Sequence, residues 1–370
     1  MNRKVLVVKA DKKPKEGIVT PLPNQIYRYP KISVEEKKID KLAANDIRIK
    51  MLFVGVCGSD LHLVKADKNT GYIKSSVPVS IPDSGRIIGH EGVGEVLETG
   101  ENVKNIKKGM IVTLESILVC NHCEPCKRGD FNQCSNAKLI GLELDGIMGE
   151  IIDINASLAH DVTPYVKNHK DLVAMACIEP AGVAFDACEY ANIRPGDRVL
   201  VFGGGPIGHL VAMMCKNVFG AAEVHIVEPI KFRRDLLKII TSNVYEKIDD
   251  AYEKIDGVDV IIEASGVMDN INKFLIRVVA NGRIVLLARS GEQLFLDKVD
   301  HMITNNIKII GARGHLGGAF DKILRLYSKG VINFDNIITS EIRGLNGIKK
   351  LLESEDFETQ NCKVVVNISK

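Results

Sequence analysis

The sequence predicts an α/β protein in two parts: a β-rich amino-terminal region, then a doubly wound parallel sheet. Three observations carry this expectation. From about Asp197 onward, apolar strand-like runs alternate with helix-like ones, the pattern of a parallel sheet covered on both faces. The first such run, DRVLVF, leads straight into the glycine-rich GGGPIG. Upstream, short alternating runs such as RIIGHEGVGEVLETG and KKGMIVTLES are broken by Gly, Pro and charge, as in antiparallel β-structure. At 370 residues the chain is long for a single core, so two domains are expected.

In order, the second part reads as strand DRVLVFGG, helix PIGHLVAMMCKNVFG, strand AEVHIVEP, helix IKFRRDLLKIITSN, strand VDVIIEASG, helix DNINKFLIRVVANG and strand GRIVLLA. NIKIIGARG reads as the last strand of this sheet, AFDKILRLYSKG as a helix beyond it, and CKVVVNIS as a strand returning to the first domain. The expected domains are 1–183 with a cysteine lobe at 120–134, 184–320 for the parallel sheet, and 321–370 as the returning segment.

Composition narrows the function classes. A formal charge of +2 is too small to suggest a nucleic-acid or acidic-membrane partner. The amino terminus, MNRKVLVVKADKK, has too short an apolar run for a signal peptide, and no stretch approaches a membrane span. The expectation is a cytoplasmic enzyme. In that reducing compartment the nine cysteines are not expected to form disulfides. Cys177, Cys188, Cys215 and Cys362 lie in apolar surroundings and read as small buried hydrophobes.

GGGPIG is a G-x-G-x-x-G motif at Gly203, Gly205 and Gly208, between a buried strand and a helix. Such glycines allow a tight turn and let a pyrophosphate approach amides at a helix N-terminus. Pro206 and Ile207 open that helix. The confirming feature is an acid about 20 residues on, at the end of the next strand, and Glu228 stands there. Its carboxylate would accept hydrogen bonds from ribose hydroxyls and repel a 2′-phosphate, which favours NAD. Lys231, Arg233 and Arg234 follow closely and keep NADP open as the alternative cofactor.

Cys57 in CGSDLH and His90–Glu91 in GHEGVGEV supply a thiolate, an imidazole and a carboxylate, ligand types that zinc accepts. Taken singly, each reads more simply as a core or satisfied polar residue. Glu179 in CIEPAG is a carboxylate inside an apolar run, where a buried charge needs a partner. A separate cluster, Cys120, Cys123, Cys126 and Cys134, has the spacing C-x₂-C-x₂-C-x₇-C. It does not fit the bacterial ferredoxin run, and no His pair or distant Cys pair follows to make a classical zinc finger. A closed tetrathiolate zinc site remains.

CGSDLH, GHEGVGEVLETG, the four-cysteine run, IEPAGVAFDAC, GGGPIG and VEPIKFRRDL stand in an order that resembles the zinc-dependent medium-chain dehydrogenase/reductase superfamily. Within it the chain resembles the polyol branch of sorbitol, butanediol and threonine dehydrogenases. The resemblance implies a GroES-like catalytic domain and a Rossmann NAD(P) domain. It further implies two zinc ions per chain, one catalytic at Cys57, His90 and Glu91, with Glu179 either binding it directly or holding its water, and one structural at Cys120, Cys123, Cys126 and Cys134. It assigns Asp60 to orienting the zinc-binding histidine, and Ser59 and His62 to a proton relay. Arg313 and His315 fall where relatives touch substrate, against a surface-loop reading. The implied reaction is hydride transfer between NAD(P) and a secondary alcohol or ketone of a polyol, cyclitol or sugar, in a homodimer or homotetramer. A threonine-type amino-alcohol dehydrogenase and an inactive nicotinamide-binding scaffold are the competing readings. The segment between Cys57 and His90 is longer than in the shorter relatives, and the amino-terminal extension carries no readable function.

Overall fold

A computed structural model describes residues 2–368, without the side chain of Glu358. The chain divides into two compact units. One holds the residues up to Glu179 with Ile338–Glu358 and the chain from Lys363 on; the other holds Pro180–Ile337 with Thr359–Cys362.

The first unit opens with β1 (Asn2–Lys12) and β2 (Tyr27–Lys38), an antiparallel pair. The extension is therefore a hairpin, and Val5, Leu6, Val7 and Val8 of its VLVV run are all fully buried. β3 (Asp46–Val56) runs into the short helix α1 (Gly58–Val64). β4 (Arg86–Ile87), β5 (Glu91–Thr99) and β6 (Ile111–Leu114) follow. The cysteine lobe lies between β7 (Ile117–Leu118) and its partner β8 (Lys138–Leu139), and contains α2 (Glu124–Arg128). Then come β9 (Ile151–Asn155), β10 (Ala159–Asp161) and α3 (His169–Met175); Ile178 and Glu179 of α4 (Ile178–Tyr190) still belong to this unit and the rest of that helix to the second. Alternation sets the first half of the central strand: Ile47, Ile49 and Met51 of β3 all point into the core, the period of two expected of a strand, and an irregularity between Met51 and Phe53 then brings Val54 and Val56 to that face.

The second unit alternates as the sequence predicts. β11 (Arg198–Phe202), α5 (Pro206–Asn217), β12 (Glu223–Val227), α6 (Lys231–Leu237), β13 (Val244–Tyr245), α7 (Ile248–Lys254) and β14 (Val258–Glu263) come first. α8 (Asp269–Phe274), β15 (Val278–Leu286), α9 (Val299–Thr304), β16 (Lys308–Gly311) and α10 (Ala319–Ser328) complete it. Its six strands lie in the order β13-β12-β11-β14-β15-β16, every pair parallel. Val199 to Phe202 and Val260 to Ile262 are fully buried, as continuous apolar strands between two helical layers should be.

Two helix expectations are corrected. DNINKFLIRVVANG is helical only to Phe274; a 3₁₀ turn follows and β15 already begins at Val278. The β-branched pair Val278–Val279 favours a strand, and Asn281 at φ 62° cannot sit inside a helix. IKFRRDLLKIITSN stops being helical after Leu237.

The chain then returns to the first unit as β17 (Ile338–Arg343), α11 (Gly344–Glu353), α12 (Phe357–Gln360) and β18 (Lys363–Asn367). β18 enters between β3 and β17 in the sheet β10-β6-β5-β3-β18-β17, with β9 also on β3. Among the described residues no helix is long and apolar enough to cross a membrane.

Candidate functional site

Strand register builds the first cluster. β3 and β5 are antiparallel with Gly55 opposite Glu91, so Cys57, just past β3, comes beside His90, just before β5. The donor atoms of Cys57, His90 and Glu91 all lie within 4.8 Å of one another. Asp60, fully buried, ties the two loops together: one carboxylate oxygen accepts from the Cys57 amide at 3.0 Å and the other from the Gly89 amide at 3.2 Å. The same carboxylate stands 3.9 Å from His90 Nδ1. That nitrogen is buried and has no hydrogen-bond partner. Burial pushes the Asp60 carboxyl up. Burial would lower His90, but the Cys57 sulfur and the charges of Asp60 and Glu179 outweigh it and hold the imidazole well above its usual value.

Two residues missed in the sequence complete the surroundings. Lys363, 1% exposed, makes a buried ion pair with Glu91, also 1% exposed, and donates to the Val56 carbonyl at 3.1 Å. Burial alone would lower the lysine, yet Glu91, Cys57 and Cys177 together raise it, so the ammonium stays charged. Ser116 Oγ donates to Glu179 Oε1 at 2.8 Å. Glu179 is buried and acts on His90 and Glu91 through its charge, but it does not join the three donors inside the 4.8 Å group. The signal for Lys363 was the one that flagged Glu179, a charged residue in an apolar run. Among the described residues Asp60, Glu91 and Glu179 face the Lys363 ammonium and the raised His90 imidazole here, with the Cys57 thiol beside them. Buried charges of one sign demand compensation, and a dication bound by sulfur, nitrogen and oxygen supplies it.

Ser59 and His62 share α1 three positions apart, and so stand on one face of it. Ser59 Oγ is buried without a hydrogen-bond partner. His62 is half-buried.

The four-cysteine cluster is of another kind. Cys120, Cys123, Cys126 and Cys134 all place sulfur within 4.8 Å of one another. The separations are 3.4 Å for Cys123–Cys126, 3.8 Å for Cys123–Cys134 and 3.6 Å for Cys134–Cys120. A tetrahedral zinc with sulfur at about 2.3 Å requires about 3.8 Å between sulfurs, so the cage fits. None of the cysteines is disulfide-bonded. The Cys120 thiol is lowered to about 5, chiefly by the His122 amide, and burial raises Cys126 to about 12. His122 turns its Nδ1 to the Cys120 carbonyl, 2.7 Å away.

In the second unit Gly203 has φ 92°, a region that suits glycine. A Cβ on Gly208 would lie 1.9 Å from the Gly203 carbonyl oxygen, so only glycine allows this turn. Gly205 caps α5, Pro206 is its first residue and Ile207 sits half-buried in its first turn. Glu228, 3% exposed, follows β12; its Oε2 accepts from the Gly204 amide at 2.6 Å and Oε1 from the Ile230 amide at 2.8 Å. The acid thus braces the glycine loop itself. Of the three nearby cations, Lys231 pairs with Asp235 at 2.6 Å and Arg234 donates to the carbonyls of Glu228 and Pro229. Arg233 alone lies against the loop, 3.6 Å from the position of a Cβ on Gly205, with its Nε buried and unpartnered. His315 is no surface-loop residue: it is 1% exposed, its ring centroid is 5.2 Å from that of Phe320, and its Cβ leaves Gly182 no room for a side chain.

Known proteins agree with this architecture. Residues 43–165 match the alcohol dehydrogenase GroES-like domain and residues 206–329 the zinc-binding dehydrogenase domain. Scyllo-inosose 3-dehydrogenase of Thermotoga maritima is 30% identical over 345 residues, 85% of this chain and 85% of its own. L-threonine 3-dehydrogenase of Pyrococcus furiosus is 31% identical over 330 residues, 86% of this chain and 90% of its own. A solved structure described as an alcohol dehydrogenase of Thermotoga maritima matches with a TM-score of 0.87 at 26% identity, over 99% of this chain and all of that one. The chain belongs to the zinc-dependent medium-chain dehydrogenase/reductase superfamily, in its polyol dehydrogenase branch. It is an alcohol dehydrogenase of the class that uses zinc and NAD(P).

Proposed function

We propose that this chain oxidises a secondary alcohol of a polyol, cyclitol or sugar with NAD, using a zinc ion at Cys57, His90 and Glu91 and a second, structural zinc at the four cysteines. The observation that carries the reading is the convergence of three different donor types on one buried point, beside an unpartnered imidazole nitrogen and an unpartnered serine hydroxyl.

When bound, the zinc supplies Lewis acidity that favours the deprotonated alcohol, and the nicotinamide supplies the hydride acceptor. The residues do the rest. Cys57, His90 and Glu91 offer the donor atoms. Asp60 holds the Cys57 and Gly89 amides and so orients the two ligand loops, as an outer-shell carboxylate does. Lys363 keeps Glu91 ionised and fixed. Ser59 Oγ takes the proton released by the alcohol, and His62, on the same helix face, passes it toward solvent. Glu179, steadied by Ser116, holds a water or a further coordination position facing the donors. Glu228 takes the ribose hydroxyls while bracing the loop, which favours NAD; Arg233 is the residue that would receive a 2′-phosphate.

Positioned proton transfer contributes roughly 10²–10⁴-fold. Ser59→Ala should therefore lose turnover on that scale while its zinc content matches wild type. Near-normal turnover in this variant would refute the relay. A screen over polyols, cyclitols, sugars and threonine, with NAD and NADP in parallel, tests the substrate class and the cofactor.

A further inference from the structure

Two buried carboxylates flank the glycine loop of the second unit. β11 lies between β12 and β14 in the sheet, so Glu228, just past β12, stands on one side of the loop and Glu263, the last residue of β14, on the other. Glu228 is the acid that the glycine motif calls for; Glu263 belongs to no motif. It is 0% exposed, and its carboxylate is loaded on one oxygen only. Oε1 accepts from the Ser265 amide at 2.8 Å, from the Ser265 hydroxyl and from the Gly266 amide at 2.9 Å. Among the described residues Oε2 has no partner. Burying a carboxyl group costs free energy that its hydrogen bonds must offset, and here all of them serve one turn. Gly266 holds φ 84°, and the Ser265 hydroxyl accepts in its turn from the Val267 amide at 3.1 Å. The carbonyl of Glu263 ties in the next strand exit, accepting from the Leu287 and Ala288 amides, both at 3.0 Å.

This turn abuts the glycine loop. Phe202 and Glu263 are in register, and the Ala264 amide donates to the Phe202 carbonyl at 2.9 Å. A Cβ on Gly203 would lie 2.9 Å from the Ala264 carbonyl oxygen and 3.0 Å from Ser265 Cα. The inner and outer parts of the turn are held differently. Ala264 is fixed by the sheet, through Phe202. Ser265 and Gly266, further out, are fixed by the Glu263 carboxylate.

Strand order shows what passes here. The chain runs outward from β11 to β12 and β13 on one side, and from β14 to β15 and β16 on the other. The direction therefore reverses between β11 and β14, and in an open parallel sheet a dinucleotide crosses at that reversal. With its adenosine ribose at Glu228 and its pyrophosphate on the glycine loop, the remaining half runs past the exit of β14, one strand spacing of about 4.8 Å away.

We propose that Glu263 is a positioning residue for the cofactor: its carboxylate fixes the turn at 264–267 as the wall along which the half of the dinucleotide beyond the pyrophosphate lies. This rests on the nicotinamide-cofactor reading above and adds to it a residue that acts through the turn without touching the cofactor.

The test separates the two halves of the cofactor by calorimetric titration of the zinc-loaded protein, without turnover. The full ligand is NADH or NADPH, whichever wild type binds more tightly; the half ligand is ADP or, to match NADPH, its 2′-phosphate. E263A should weaken the full ligand about tenfold or more, the scale of a misplaced binding surface. It should leave the half ligand within about twofold, because the glycine loop and Glu228 keep their own anchors. E263Q retains an acceptor oxygen for the Ser265 and Gly266 amides and should bind both ligands as wild type does. G266A keeps the carboxylate but puts a Cβ on a residue at φ 84°, 3.2 Å from Ser290 Cβ. It should weaken the full ligand about threefold or more with the half ligand unchanged, and it carries the test should E263A fail to fold. Equal losses for the two ligands would make the turn a general support of the unit and overturn the proposal. Unchanged binding of the full ligand in E263A or G266A would overturn it as well, as would a loss in E263Q as large as that in E263A. Wild type that binds neither ligand would instead sink the cofactor reading itself, and this inference with it.

Discussion

The two sulfur-bearing clusters of the first unit are built in opposite ways. The lobe takes four thiols from fifteen consecutive residues, Cys120 to Cys134, and encloses them in a cage whose spacing suits a filled tetrahedron. The other cluster draws its groups from β3, β5, α1, α4 and β18, from Cys57 to Lys363. It mixes donor types, adds carboxylates beyond those the donors need, and leaves His90 Nδ1 and Ser59 Oγ buried without partners. A local, uniform and closed cluster supports a fold. A dispersed, mixed and under-satisfied one is equipped to act on something else.

Removing the buried cation should have the largest effect. Lys363→Met strands Glu91 in the core, and breaking a buried pair from one side costs about 3–5 kcal/mol; urea unfolding of this variant should show that loss, and Glu91→Gln/Lys363→Met should recover most of it. The lobe has no counterpart. Its Arg128–Glu124 pair is largely exposed, so Arg128→Ala should cost under about 1 kcal/mol. Equal losses in the two regions would erase the contrast.

His209 extends the comparison to a buried polar group with neither metal nor partner. Its Nδ1 is unpartnered and burial lowers the imidazole to about 4, against 6.5 ordinarily. Above pH 6.5 neither folded nor unfolded chain carries this proton. Between 6.5 and about 4 only the unfolded chain takes it up, so stability falls as the pH drops through that window, by about 3 kcal/mol in all. Denaturant titrations from pH 7 to 4 should show His209→Leu losing less stability on acidification than wild type. Parallel curves would mean that the imidazole gains a proton in the folded state as readily as in water.

Within the mixed cluster the smallest expected effect is at Ser116. Ser116→Ala removes a hydrogen-bond donor to the buried Glu179 carboxylate, a loss of about 1.5–3 kcal/mol for a bond to a charged group that thermal unfolding would detect. No change in Tm would mean that Glu179 already has enough other donors.

The same contrast explains what could be read from the sequence. The lobe was legible from spacing because its ligands are local. The glycine loop and Glu228 were legible because strand, turn, helix and next strand follow one another along the chain. Cys57, His90 and Glu91 carried no spacing rule of their own and were assigned through family resemblance. Lys363 and Ser116 stayed hidden because their roles depend on β18 inserting beside β3 and on the exit of β6, pairings that no local pattern encodes. Glu228 was expected to face ribose hydroxyls; its hold on the Gly204 and Ile230 amides depends on loop geometry that the motif leaves open. The misread helix at 269–282 failed for a simpler reason: an apolar run that switches from helix to strand midway has no clean period of either kind.

Zinc per chain, measured on wild type and on Cys57→Ser, tests the central claim most directly. Wild type should hold two zinc ions, and Cys57→Ser should fall to one while the lobe cage keeps its own. A single ion in wild type, or two in the variant, would contradict a catalytic metal at Cys57, His90 and Glu91.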